Sequence, residues 1–146
     1  MGVARAAPVA RYLLDANVLS ELLKPRPNAG VAERLGRHGD AVATGAPVYH
    51  ELLFGARRLP PGRRRAEIER YLEQVVRATV PILPYDAAAA DWHAAERARL
   101  AALGRTPPFV DGQIAAIART NALTLVTANG ADFRPFAGLD IEDWRA

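Results

Sequence analysis

Cysteine is absent from the 146 residues. That excludes a disulfide framework and cysteine-based zinc sites, and it is compatible with a reducing compartment. Histidine pairs at HxxxH or HExxH spacing are missing too, which argues against a histidine-built zinc site. No apolar run approaches the roughly 18–20 residues of a membrane span. The opening MGVARAAPVA is too short and too weakly apolar to read as a signal peptide. We expect a cytoplasmic protein with no membrane association. Internal repeats and low-complexity linkers are also absent, so residues 1–10 read as a flexible lead and 11–146 as one domain. Lysine is almost missing: Lys24 is the only one among 19 basic residues.

What is present is a core and a concentrated charge. Half of the chain is apolar, enough to exclude a disordered tail. The net charge is only +3. Residues 57–70, RRLPPGRRRAEIER, carry six arginines and two glutamates, +4 in this segment, which leaves −1 for the rest. Arginine in place of lysine is also what a GC-rich genome produces. The clustering is more informative, because a basic segment can meet phosphate or an acidic protein. A solvated turn between two helices is the plainer alternative.

Short apolar runs alternate with helical patterns. Strands are expected at 11–15, 40–44, 79–83, 123–127 and near 138–141. Helices are expected at 17–24, 31–37, 47–59, 63–79, 86–103 and 109–121. Ile68, Leu72, Val75 and Val76 form the apolar face of the 63–79 helix. Continuous apolar strands, rather than alternating ones, predict a mostly parallel sheet of four to five strands covered by helices on both faces.

In such a sheet ligands bind beyond the carboxyl ends of the strands. Asp15 follows the first apolar run directly, as either a helix cap or a site residue. Glu51 lies in the helix VYHELLFGAR, one turn from Gly55. Asp111 opens the helix VDGQIAAIAR and is followed by Gly112. Asn129 and Asp132 follow LTLVT. Each has a purely structural reading: a cap, a solvent-facing acid or a turn. His50 and His93 read as ordinary polar positions. Taken together, the acids converge on one sheet edge, and clustered carboxylates repel unless a cation neutralises them. Oxygen donors without Cys or His select Mg²⁺ or Mn²⁺, which points to metal-assisted phosphodiester hydrolysis.

LLDANVLSEL at 13–22, VYHELLFGARRLP at 48–60, FVDGQIAAIA at 109–118 and LTLVTANGADF at 123–133 occur in the order and spacing of the PIN-domain ribonucleases. The chain resembles a VapC-type toxin of a bacterial toxin–antitoxin pair. That resemblance implies a three-layer α/β/α sandwich and a Mg²⁺- or Mn²⁺-dependent endoribonuclease. It also implies a homodimer and inhibition by a cognate VapB-type antitoxin. Asp15, Glu51 and Asp111 match the core acids, and the fourth position falls on Asp132 or alternatively Asn129. On this basis Asp15 and Asp111 are expected to hold the ion, with Glu51 holding a second ion or orienting water. Arg57, Arg58, Arg63, Arg64 and Arg65 are expected to contact RNA or antitoxin. The chain departs from the family pattern in having Ala16 where a hydroxyl is usual, Gly45 for a hydroxyl (with Thr44 adjacent) and Ala128 for an arginine.

Two rivals follow from the same residues. A phosphotransfer domain with Asp15 as acceptor would need a late lysine or a second aspartate at 17, and position 17 is asparagine. A catalytically weakened PIN fold that only binds RNA or protein fits the outer departures but leaves the retained acids unexplained.

Overall fold

The computed structural model describes residues 9–145, so most of the expected flexible lead, together with Ala146, lies outside the described residues. Five strands form one sheet: β1 (Tyr12–Leu14), β2 (Val42–Gly45), β3 (Ile82–Leu83), β4 (Thr124–Val126) and β5 (Ile141–Glu142). Their order is β3-β2-β1-β4-β5, and every pair is parallel. Leu13 and Leu14 are both 0% exposed. Neighbouring residues on a strand point to opposite faces, so both faces of β1 are covered. The continuous apolar strands therefore mean what they were expected to mean, an α/β sandwich with a parallel sheet.

The helices are α1 (Ala16–Glu21), α2 (Ala29–His38), α3 (Ala46–Arg57), α4 (Arg63–Arg70), α5 (Arg77–Thr79), α6 (Ala87–Ala102), α7 (Phe109–Thr120) and α8 (Gly130–Phe133). Local chemistry sets several starts. The Asn28 side chain accepts from the Gly30 and Val31 backbone N–H at 2.9 and 3.2 Å, opening α2 two residues earlier than periodicity suggested. Asp86 accepts from Ala89 N–H at 2.9 Å and caps α6. Pro47 sits in the first turn of α3, where its missing N–H leaves no bond unmade.

Three expectations are corrected. The 63–79 helix is interrupted by a π-helical segment, Tyr71–Val76, between α4 and α5. The wider turn shifts the apolar face, so Leu72 and Val76 are buried while Val75 is exposed. The strand expected at 79–83 shrinks to Ile82–Leu83 because the helix runs on through Thr79. The last strand begins at Ile141 rather than Gly138, which has φ +70° and turns the chain before pairing starts. Behind β1, Trp144 is buried and packs edge-on against Tyr12, with ring centroids 5.1 Å apart.

Candidate active-site cleft

From β1 the chain moves outward through β2 to β3, then returns to the other side of β1 as β4. The order reverses between β1 and β4, and a crevice opens at the carboxyl ends of such a strand pair. Asp15 and Thr127 are the residues that leave β1 and β4 there. Asp15 N–H donates to the Val126 carbonyl at 3.0 Å, extending the ladder by one bond. Its side chain then has fixed neighbours. Oδ1 accepts from Ala16 N–H at 2.8 Å, and Oδ2 accepts from Thr127 Oγ1 at 2.8 Å and Asn17 Nδ2 at 3.3 Å. Asp15 therefore caps α1, and Asn17 does not; α1 starts at Ala16 rather than 17. The cap and the site are not alternatives here, because one carboxylate serves the helix start and still lines the cleft.

The cleft has a volume of about 400 Å³ and is open to solvent. Asp15, Glu51, Asp111 and Asn129 line it, over a floor that includes Val48 and Ile114. Asp111 is in the first turn of α7 and Glu51 in the middle of α3. Burial pushes the Asp111 carboxyl up from its ordinary 3.8 to about 6, and the negative charges of Asp15 and Asp132 push in the same direction. Burial first, and like-charged neighbours second, disfavour the ionised form here. Glu51 is about half exposed, as a solvent-facing acid would be, yet it faces this cleft and also a groove between α1, α3 and α4.

The remaining expected residues spread around this centre. Asp132 is exposed in the first turn of α8 and acts on Asp111 through its charge. Asn129 is on the cleft wall itself. Of the five arginines, Arg57 pairs with Glu73 at 3.4 Å and Arg65 with Glu69 at 2.7 Å. Arg58 lies over the Phe54 ring, Arg63 is exposed, and Arg64 lines the groove that Glu51 shares. None of the five lines the cleft. The Thr44 hydroxyl does not replace the one missing at Gly45, since it donates to the Leu14 carbonyl at 2.8 Å inside the sheet.

Three residues to which the sequence assigned no role in the site hold it together. Thr127 is buried, and its hydroxyl donates to Asp15 while accepting from Asn129 N–H at 3.0 Å. Asn17 bridges the two strand ends, since its Oδ1 accepts from Ala128 N–H at 3.0 Å. A threonine closing an apolar strand was the available signal. His93 is the third. It is not an ordinary polar position: it is 3% exposed, with Nδ1 2.8 Å from the Tyr85 hydroxyl, and burial pulls its pKa down. A Cβ on Gly112 would sit 2.1 Å from His93 Nε2. Gly112 is therefore a packing requirement of α6 against α7, next to Asp111. Gly55 has no such neighbour, and a Cβ there would meet open space.

Among the described residues, no three His, Cys, Asp or Glu side chains form a ready-made metal cage. The donors that line the cleft are three carboxylates and two amides, those of Asn17 and Asn129, all oxygen-bearing. Such a set suits a hard cation that keeps several waters, as Mg²⁺ does, and not a closed protein cage. The raised Asp111 pKa fits this, since a cation would relieve it.

The PIN domain family model matches residues 12–139. A tRNA(fMet)-specific endonuclease VapC from Shigella flexneri is 34% identical over 135 residues, 92% of this chain and 98% of that protein. Among solved structures, FitAcB from Neisseria gonorrhoeae superposes with a TM-score of 0.81 at 32% identity, covering 89% of this chain and 95% of the other. DNA-bound VapBC from Salmonella typhimurium gives 0.80 at 26% identity, covering 93% and 99%.

Proposed function

The chain belongs to the PIN domain family, and on that premise we propose that it is a metal-dependent endoribonuclease toxin that hydrolyses RNA phosphodiester bonds. The observation that carries this reading is the meeting of Asp15, Glu51 and Asp111 on the lining of one open cleft at the switch point of a parallel sheet. Asp15 and Asp111 hold Mg²⁺ or Mn²⁺, directly or through water. When bound, the ion lowers the pKa of a water and neutralises charge on the phosphoryl oxygens. Glu51 orients the attacking water or holds a second ion. Asp132 contributes through water, with Asn129 as the alternative on the cleft wall. Thr127 and Asn17 keep Asp15 in one rotamer, which preserves the geometry from turn to turn of the reaction.

Partners follow from the relatives. FitAcB and VapBC are complexes, and a VapB-type antitoxin is the inhibitor we propose here. The protein then works as a homodimer in the cytoplasm. No helix among the described residues is long and apolar enough to cross a membrane. Arg57, Arg58, Arg63, Arg64 and Arg65 provide positive charge for RNA backbone or an acidic antitoxin segment. The test is cleavage of RNA with Mg²⁺, in EDTA and by Asp15→Asn. Cleavage is expected only in the first case. Undiminished cleavage by the variant, or without metal, sinks the proposal. Failure to bind Mn²⁺ in a titration favours the weakened binding module instead.

A further inference from the structure

Asp15 and Asp111 are held in different ways. Three neighbours orient the Asp15 carboxylate, whereas among the described residues no hydrogen bond or ion pair holds that of Asp111. Its place is set by the backbone at the start of α7, and that backbone rests on one side chain of α6. A Cβ on Gly112 would meet Cδ2 and Cε1 of the His93 ring at 2.6 and 2.9 Å, and Nε2 closer still. The same ring packs on Phe109, with centroids 4.8 Å apart. His93 therefore touches α7 on both sides of Asp111, at 109 and at 112. The ring is itself held from behind. The Tyr85 hydroxyl is 2.8 Å from Nδ1, and the Tyr85 ring stands edge-on to the imidazole.

We propose that His93, held by Tyr85 and seated on Gly112, is a positioning residue that fixes the height of Asp111 in the cleft and with it the affinity for the divalent ion. The proposal rests on the metal-dependent reading and deepens it. Two costs meet at this contact. A buried imidazole gives up hydration that an apolar side chain never had, and glycine is a poor helix former. Close packing alone requires neither. Ala115, Ala116 and Ala118 of α7 are all 0% exposed and keep their methyl groups. The one glycine of α7 is the residue next to Asp111, and its missing methyl admits a ring. A helical turn is stiff, so a change of height at 112 is carried to 111, and a displacement of about 1 Å at a site can cost 100-fold in rate. His93 is not on the cleft lining and acts through Asp111.

The test uses the full chain with His93→Ala, Gly112→Ala, the double variant of the two, and Tyr85→Phe. Leu100→Val is the control. Leu100 lies on the same buried stripe of α6, about 10 Å further along the helix axis. Mn²⁺ Kd is read by titration well below the melting transition, melting in EDTA, and kcat and KM for RNA at saturating Mn²⁺. His93→Ala and Gly112→Ala are each expected to raise the Mn²⁺ Kd about 10-fold and to lower kcat, with KM retained. The double variant recovers part of both losses, because the new methyl refills space the ring has left. Tyr85→Phe shifts Kd in the same direction by less, and Leu100→Val melts lower with wild-type Kd. Wild-type Kd in the His93 and Gly112 variants overturns the proposal, since the ring is then only core filling. Losses that add in the double variant overturn it as well. Tyr85→Phe removes a single oxygen and decides the matter if an alanine variant does not fold, because wild-type Kd there refutes the hold on the ring. Each of these failures, in a chain that binds Mn²⁺, leaves the metal-dependent reading standing. A wild-type chain that binds no Mn²⁺ overturns both.

Discussion

Replacing Asp111 by asparagine should make the metal-free protein more stable at neutral pH. The carboxyl is raised from 3.8 to about 6 by burial and by the charges of Asp15 and Asp132. At face value that gap corresponds to about 3 kcal/mol against the ionised form. Asp111 is partly exposed, and solvent screening reduces the figure to about 1–2 kcal/mol. The sign follows from proton binding. Between pH 3.8 and about 6 the folded chain holds a proton that the unfolded chain has released. Stability of the metal-free protein therefore falls as pH rises through this window, then levels off. Asparagine keeps the shape and removes the charge. In EDTA near pH 7.5 the variant should melt about 2–8 °C above the wild type, given about 2–4 °C per kcal/mol at this chain length. The two should converge near pH 4, where both side chains are neutral. Saturating Mn²⁺ should reverse the order, because only the wild type gains the binding free energy. The assay is thermal unfolding across pH, with and without metal. A variant less stable than the wild type in EDTA at neutral pH would refute the reasoning, since Asp111 would then be a structural acid.

Two further perturbations probe how the site is held. Thr127→Val removes the hydroxyl that donates to Asp15 and accepts from Asn129. It should destabilise the fold by about 1–3 kcal/mol in thermal melts and weaken Mn²⁺ binding in titrations. Gly112→Ala places a methyl on the His93 ring and should lower stability by about 1–3 kcal/mol. Adding His93→Ala should recover part of that loss, and a double variant melting no higher than Gly112→Ala alone would contradict the packing account.

The parallel sheet was readable because its strands are short continuous apolar runs, and tertiary context did not alter that. Asp15 was readable as well, since an acid directly after such a run stands at the carboxyl edge. The parts that were not readable depend on neighbours distant in sequence. His93 and Gly112 meet only once α6 packs on α7, so no local pattern explained a glycine at the start of that helix. Thr127 gains its meaning from the register that pairs Leu14 with Val126, which places it opposite Asp15. The exposure of Val75 follows from a π-helical segment, whose wider turn no 3.6-residue periodicity anticipates. For Asp15 local propensity could not choose between a helix cap and a site residue, and the structure shows one carboxylate in both places.

Asp15 is fastened by Ala16, Asn17 and Thr127 before any ion arrives. A carboxylate oriented by its own chain has little conformational freedom left to lose, so a ligand that met it would not have to order the side chain first.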